Sequence, residues 1–195
     1  IKTMRNINRI CQGRNSADMV SAPTGCAAAL IDGCTHFRCS NIPTGKVFQQ
    51  APSDSNCADP IKVNAMRLAM LRIIVRIMDE HSMCGRVLWA WLEHRSREYR
   101  PSSTITNEFG QTVHEDAVPL PIDQYESPWG GVPITVSFCD SNQLPPVLQK
   151  PMNDLGAGVP GTADIVGKVV IEKFMNPSNQ DQFRTVIVLM DTVIC

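Results

Sequence analysis

Apolar residues in this chain gather into short runs that end in small, polar or acidic residues, and most runs lead into a stretch of helical period. That is the pattern of parallel strands joined by helices in an α/β domain. Four runs predict strands. Asp18 to Ala22 leads into PTGCAAALIDG, where Pro23 and Gly25 make a turn, Cys26 to Ile31 reads as helix and Gly33 can end it. Ile73 to Met78 stops at Asp79 and Glu80, and the stretch that follows places Val87, Leu88, Trp91 and Leu92 on one face of an amphipathic helix. Ile134 to Phe138 stops at Cys139 and Asp140, and Thr185 to Leu189 is a late β-branched run.

Asp59 followed by Pro60 predicts a helix start, an N-cap with proline at the first helical position, running through Met66 and Met70. Thr162 is a second candidate N-cap, ahead of Ile165, Val166, Val169, Val170 and Phe174 at helical spacing, a pattern that expects a core-facing helix. Ser40 to Ala58 and Pro101 to Pro128 are rich in proline and polar residues and read as surface loops. No internal repeat is present.

Composition narrows the class. At 195 residues, 43% hydrophobic and 19% charged, the chain fits one globular domain and excludes disorder and low complexity. The formal net charge of −1 gives no global basic field, so any site for a polyanion must be local. No apolar run reaches the roughly 20 residues that span a bilayer, because Arg72 and Arg76 interrupt the best candidate, and no membrane partner is expected. The eight cysteines include no CxxC pair, which favours reduced thiols and an intracellular setting.

A phosphate loop G-x-x-x-x-G-K-[ST] is absent, and Gly45-Lys46 and Gly167-Lys168 are decoys that lack the upstream glycine and the following Ser or Thr. Chemistry is better sought at IIVRIMDE, Ile73 to Glu80. Two acids at the carboxyl end of an apolar strand suit a nucleoside triphosphatase, one holding Mg²⁺ through its water shell and the next polarising the attacking water. The bland alternative is that they cap the following helix. Arg76 inside that strand must reach solvent or an acid. Cys34, His36 and Cys39, closed by Cys57, would be a competing zinc cluster, though the spacing is not that of a zinc finger or ribbon. Met66, Met70, Met78 and Met83 read as core, as does Trp91; Trp89 could stack on a base, and Trp129 is the freer candidate, set against a loop residue covering the sheet edge.

Three motifs follow each other in a telling order: APTGCAA at Ala22, MDEHSM at Met78 and CDSNQLPPV at Cys139. They resemble the PIF family of superfamily-one DNA helicases, relatives of RecD, whose motifs read close to APTGKAA, IDEISM and GDxxQLPPV. Thr35-His36 is similar to the family's Thr/His element. With weaker agreement at the ends, the likeness runs along nearly the whole chain. It implies an α/β fold, a RecA-like P-loop NTPase domain with a mostly parallel sheet. IKTMRNINRI resembles the helix just after the phosphate loop, and TVIVLMDTVIC the strand before the family's arginine motif. Residues 1–195 are therefore expected to be a partial motor domain truncated at both ends, inactive on its own.

The resemblance also implies roles. Asp79 would associate with Mg²⁺ through water, Glu80 would be the catalytic base, and Gln143, with Asp140 beside it, would sense the γ-phosphate. Pro23, Thr24, Gly25, Thr35 and His36 would contact DNA. The parent would be an ATP-dependent helicase moving 5′ to 3′, with ATP as substrate, Mg²⁺ as cofactor, and single-stranded DNA, duplex junctions and a second RecA-like domain as partners. Its setting would be DNA repair, recombination and telomere maintenance, in the nucleus if eukaryotic. Cys26, His81 and Cys139 replace the family's usual Lys, Ile and Gly. Those departures keep open an alternative, a non-catalytic remnant acting as a binding or scaffold domain.

Overall fold

The computed structural model describes residues 1, 6, 18–53, 60–70, 73–99, 128–132, 134–139, 145–147, 149–151, 154, 156–175 and 186–190. Its frame is a five-stranded, wholly parallel sheet built from β1 (Asp18–Ala22), β2 (Cys34–Thr35), β3 (Val75–Met78), β4 (Ile134–Cys139) and β5 (Val186–Met190), in the spatial order β2-β1-β3-β4-β5. Four of the strands lie where the apolar runs place them, although β3 is shorter than its run, beginning at Val75, while the two-residue β2 follows no such run. The connections contain α1 (Gly25–Leu30), α2 (His36–Cys39), α3 (Lys46–Gln49), α4 (Pro60–Met70), α5 (Arg86–Glu98) and α6 (Ala163–Met175). Among the described residues no helix is long and apolar enough to cross a membrane.

Strand alternation divides the core in two. Val20, Ala22, Val75 and Ile77 pack with Ala27, Ala28 and Ile31 on one face. On the other, Met78 meets Val87, Leu88, Trp89 and Trp91 of α5, Phe48 of α3 and Ala163 and Ile171 of α6. The methionine expectation holds for Met70 and Met78, both buried. Ser40 to Ala58 is not all surface loop, because α3 buries Phe48, whose carbonyl accepts a 2.8 Å hydrogen bond from the Trp91 indole.

Two helices differ from their patterns. The α5 helix is buried on nearly every side, with only Arg97 exposed, because it lies between the sheet and α6 instead of facing solvent. Trp89 and Trp91 are both fully buried there, so neither is available to stack on a base. In α6 the buried positions are Ala163, Asp164, Gly167 and Ile171, while Val169 is 44% exposed. Gly167 sets that rotation. A Cβ there would stand 1.7 Å from the Arg86 carbonyl oxygen, so only glycine lets α6 cross α5 this closely. Gly167-Lys168 is thus a helix-crossing point.

The turn after α1 also departs from expectation. Asp32 takes the left-handed conformation (φ 50°), and Gly33 is needed for space, since its Cβ would sit 2.7 Å from the Val20 carbonyl oxygen. Cys34 and Cys39 are joined as a disulfide with Cα atoms 5.8 Å apart, which corrects the reading of these two as free thiols and removes them as zinc ligands. Among the described residues no cluster of three or more metal-ligating side chains occurs. Asp59, Cys57, residues 101–127, Asp140 and Gln143 lie outside the described residues.

Candidate functional site

The strand order reverses between β1 and β3: the chain goes from β1 to β2 on one side, then crosses to β3 on the other. In open α/β sheets the crevice beyond the carboxyl ends of strands at such a reversal is where ligands bind. Here that crevice receives the ends of β1, β2 and β3, each carrying residues singled out in the sequence.

At the end of β1 the chain turns through Pro23, Thr24 and Gly25, with Thr24, Gly25 and Cys26 exposed. Thr24 is the N-cap of α1, its Oγ1 accepting from the Ala27 amide at 3.2 Å. A hydroxyl that accepts one bond still has its own proton to donate. Gly25 has φ in the ordinary range and a Cβ there would meet nothing within 4 Å, so the fold does not require glycine; its absence of side chain leaves the turn's backbone open to a ligand. Register pairs Ala22 with Thr35, which sets Thr35 beside this turn. Its Oγ1 caps α2, accepting from the Arg38 amide at 3.3 Å.

His36 does not join them. Its side chain is fully buried, so it cannot reach a strand on the surface, and the expected DNA contact through this residue is corrected. Burial, then the charge of Arg76, then His81, pull its pKa down to about 3. It is a neutral imidazole packed under the sheet.

At the end of β3 the Asp79 amide donates to the Ser21 carbonyl at 2.9 Å, tying the acid pair to β1. Glu80 sits in the left-handed region (φ 50°, ψ 39°), a conformation that raises a non-glycine residue by about 1–2 kcal/mol. Strain of this kind collects at functional turns. Neither acid caps α5, whose N-cap position is Gly85. Both are half-buried. One or two carboxylates with substrate phosphates and waters completing the shell is the usual way a protein holds Mg²⁺, so Asp79 fits that ion as a donor.

The His81 Nδ1 lies 2.5 Å from the Ser137 hydroxyl of β4, and its ring meets Trp89 edge-on at 5.9 Å. Burial lowers its pKa to about 4, against a backbone hydrogen bond at Phe138 that raises it. Burial, with Glu80 adding to it, pushes the Cys84 thiol well above the ordinary range and leaves it inert.

Sequence reasoning missed the clamp behind the acids. Arg86, fully buried at the start of α5, grips Asp164 of α6 with Nε and Nη2, each 3.1 Å from a carboxylate oxygen. Its Nη1 donates to the carbonyls of Asp154 and Gly156, both at 3.2 Å. Gln149 and Lys150, shortly after QLPPV, accept from the amides of Leu88 (3.2 Å) and Arg86 (3.0 Å), occupying otherwise orphaned donors of α5. The loop that follows β4 is therefore fastened to the helix that follows the acids. A signal existed: an arginine in the first turn of a helix opposes the macrodipole and needs another reason to be there. Trp129, for which the sequence offered base stacking or a loop residue covering the sheet edge, is 1% exposed and covered by Arg76, so it offers no surface to a base.

No protein-family model matches the chain, and no curated protein matches it in sequence. In structure it is similar to the Pif1 helicase of Candida albicans, at 19% identity over 97% of this chain and 32% of that one, with a TM-score of 0.55. It is likewise similar to Bacteroides sp Pif1 in complex with ADP-AlF4 (21% identity, 97% of this chain, 35% of that one, TM-score 0.52). A third similar structure is Bacteroides Pif1 bound to ssDNA (23% identity, 97% and 35%, TM-score 0.52). The chain spans about a third of the length of these helicase structures. The fold expected from the resemblance is thus met: over nearly its whole length this chain has the RecA-like α/β architecture found in Pif1 structures.

Proposed function

We propose that the chain is part of the motor of an ATP-dependent DNA helicase that moves 5′ to 3′ on single strands. The observation that carries this reading is the meeting of Asp79 and Glu80 with the open Pro23-Thr24-Gly25 turn at the carboxyl ends of the neighbouring strands β3 and β1, joined by the Asp79–Ser21 hydrogen bond. Hydrolysis and strand contact then share a boundary across which one can move the other. No phosphate loop G-x-x-x-x-G-K-[ST] occurs among these 195 residues.

Glu80 takes a proton from the attacking water as the oxygen bonds to the γ-phosphorus and the bond to the β-phosphate oxygen breaks, releasing ADP and phosphate. Asp79 would hold Mg²⁺ through water, and the ion would supply neutralisation of the developing phosphate charge. Asp140 and Gln143 are proposed to sense the γ-phosphate. The Thr24 and Thr35 hydroxyls and the amides of the first turn contact the phosphates of a strand without reading its sequence. A second RecA-like domain closes the strand from the other side.

The test is made on the parent protein. Steady-state ATPase with and without oligo(dT), and unwinding of duplexes bearing a 5′ or a 3′ tail, should show DNA-stimulated turnover and a preference for the 5′ tail. Glu80→Gln should keep ATP binding while lowering hydrolysis by orders of magnitude. DNA binding without any turnover in the unaltered parent would refute the motor and support the scaffold.

A further inference from the structure

Glu80 keeps its left-handed backbone between two anchors. On one side the Asp79 amide is bound to the Ser21 carbonyl of β1 at 2.9 Å. On the other stands His81, whose Nδ1 shares a 2.5 Å hydrogen bond with the Ser137 hydroxyl of β4. The same ring has a backbone hydrogen bond at Phe138 and meets Trp89 edge-on at 5.9 Å. Ser137 and His81 are both buried, at 0% and 2% exposure, so water does not compete for the bond between them. The turn itself is closed by backbone: the Glu80 carbonyl accepts from the Met83 amide at 3.0 Å and the His81 carbonyl from the Cys84 amide at 2.9 Å.

The strands do not supply the second anchor. Met78 and Ser137 are the last register partners of β3 and β4, so beyond Met78 the ladder between these two strands no longer holds the chain. A non-glycine residue in the left-handed region persists where its surroundings over-determine it. The His81 side chain provides that constraint by reaching from the turn back to β4. Isoleucine, the usual residue of the helicase motif at this place, has no atom to bond the Ser137 hydroxyl, and a buried hydroxyl deprived of its partner is unfavourable. The turn and the strand thus carry the two halves of one bond.

We infer that His81 is a positioning residue for Glu80: its hydrogen bond to Ser137 fixes the left-handed turn and so fixes where the Glu80 carboxylate stands at the crevice. His81 is buried and touches no substrate; it acts through its neighbour. Positioning of this kind has a large effect on rate, since a misplacement of about 1 Å can cost roughly 100-fold. The inference rests on the motor reading above, in which Glu80 is the base.

The experiment compares the parent protein with His81→Leu, Ser137→Ala and His81→Asn, the last of which keeps a polar atom about where Nδ1 stands. His81→Leu and Ser137→Ala should each lower kcat for ATP by roughly 10–100-fold with KM within about twofold, the pattern of a lost transition-state interaction. The doubly substituted protein should be no worse than either, because both changes remove the same bond. His81→Asn should recover kcat to within about threefold of the unaltered parent. Unchanged kcat in the first two variants overturns the assignment, as do additive losses, a His81→Asn no better than His81→Leu, or a fall in kcat matched by KM and melting temperature, the behaviour of a merely structural pair. If His81→Leu does not fold, Ser137→Ala and His81→Asn decide by the same criteria. A parent without any ATPase activity sinks the motor reading instead. The positioning is then decided on the 195-residue chain by NMR: Ser137→Ala, far from Glu80 in sequence, should shift the Glu80 amide and Cα resonances, and unmoved resonances overturn it.

Discussion

Removing the carboxylate from Asp164 tests whether the clamp on α5 and α6 holds the domain together. Asp164→Ala takes both 3.1 Å contacts from Arg86, whose side chain is fully buried while the carboxylate is 13% exposed. Breaking a buried pair by deleting one partner typically destabilises by about 3–5 kcal/mol, because the remaining charge is left uncompensated. Three backbone carbonyls, of Asp154, Gly156 and Asp164, still receive Arg86 hydrogens, which places the loss at the lower end, about 3 kcal/mol. The carboxylate also accepts from the Val159 amide at 3.3 Å, so the loop before α6 loosens as well. For a chain of this size each kcal/mol moves the melting temperature by about 2–4 °C, giving a drop of roughly 6–12 °C. Urea unfolding and thermal circular dichroism on the 195-residue chain would measure it, with Lys168→Ala as comparator. That lysine pairs at 3.5 Å with Glu172, which is 52% exposed, and such surface pairs contribute about 0–1 kcal/mol. If Asp164→Ala and Lys168→Ala lose the same small amount, the clamp is screened by water and the argument from burial fails.

Gly167→Ala, with its Cβ driven against the Arg86 carbonyl, should destabilise at or above the roughly 3 kcal/mol upper end of overpacking, while Gly25→Ala, with open space, should be neutral or slightly stabilising by denaturant titration. The two buried histidines make stability depend on pH with a definite sign. Folded-state values of about 3 for His36 and about 4 for His81 lie below the ordinary 6.5, so the stability is whole above pH 6.5 and declines as pH falls toward 4. The slope should approach about 1.4 kcal/mol per pH unit for each histidine, and a urea midpoint unchanged between pH 7.5 and 5 would contradict their burial. The 195-residue chain alone should show no ATPase activity, since the amides and lysine of a phosphate loop make most triphosphate contacts; DNA-stimulated phosphate release from it would refute that. Unreduced tryptic mapping should recover Cys34 and Cys39 on linked peptides that separate on reduction, whereas two free alkylated cysteines would count against the pair.

Much of this molecule is legible along the chain because its strands are short apolar runs with local stop signals. Asp18–Ala22 and Ile134–Cys139 needed nothing beyond β-branched residues and the turn or acid after them. The motifs at Ala22, Met78 and Cys139 carried the resemblance to the helicases, since a short motif keeps its meaning without knowledge of its surroundings. What only the tertiary structure decided is which side of each element is covered. The period of α5 marks one apolar face, but the sheet, α3 and α6 enclose it almost entirely, so Trp89 and Arg86 are interior residues that no pattern distinguishes from surface ones. His36 directly follows Thr35, whose hydroxyl caps α2, yet the His36 side chain is fully buried in the first turn of that helix. Arg76 had to find a partner, and the sequence could offer solvent or an acid; the fold supplied two serines and the face of Trp129 together with the charge of Glu93. Periodicity reports the local direction of a side chain, while burial and pairing depend on residues as distant as Asp164 is from Arg86, brought together only when the layers close.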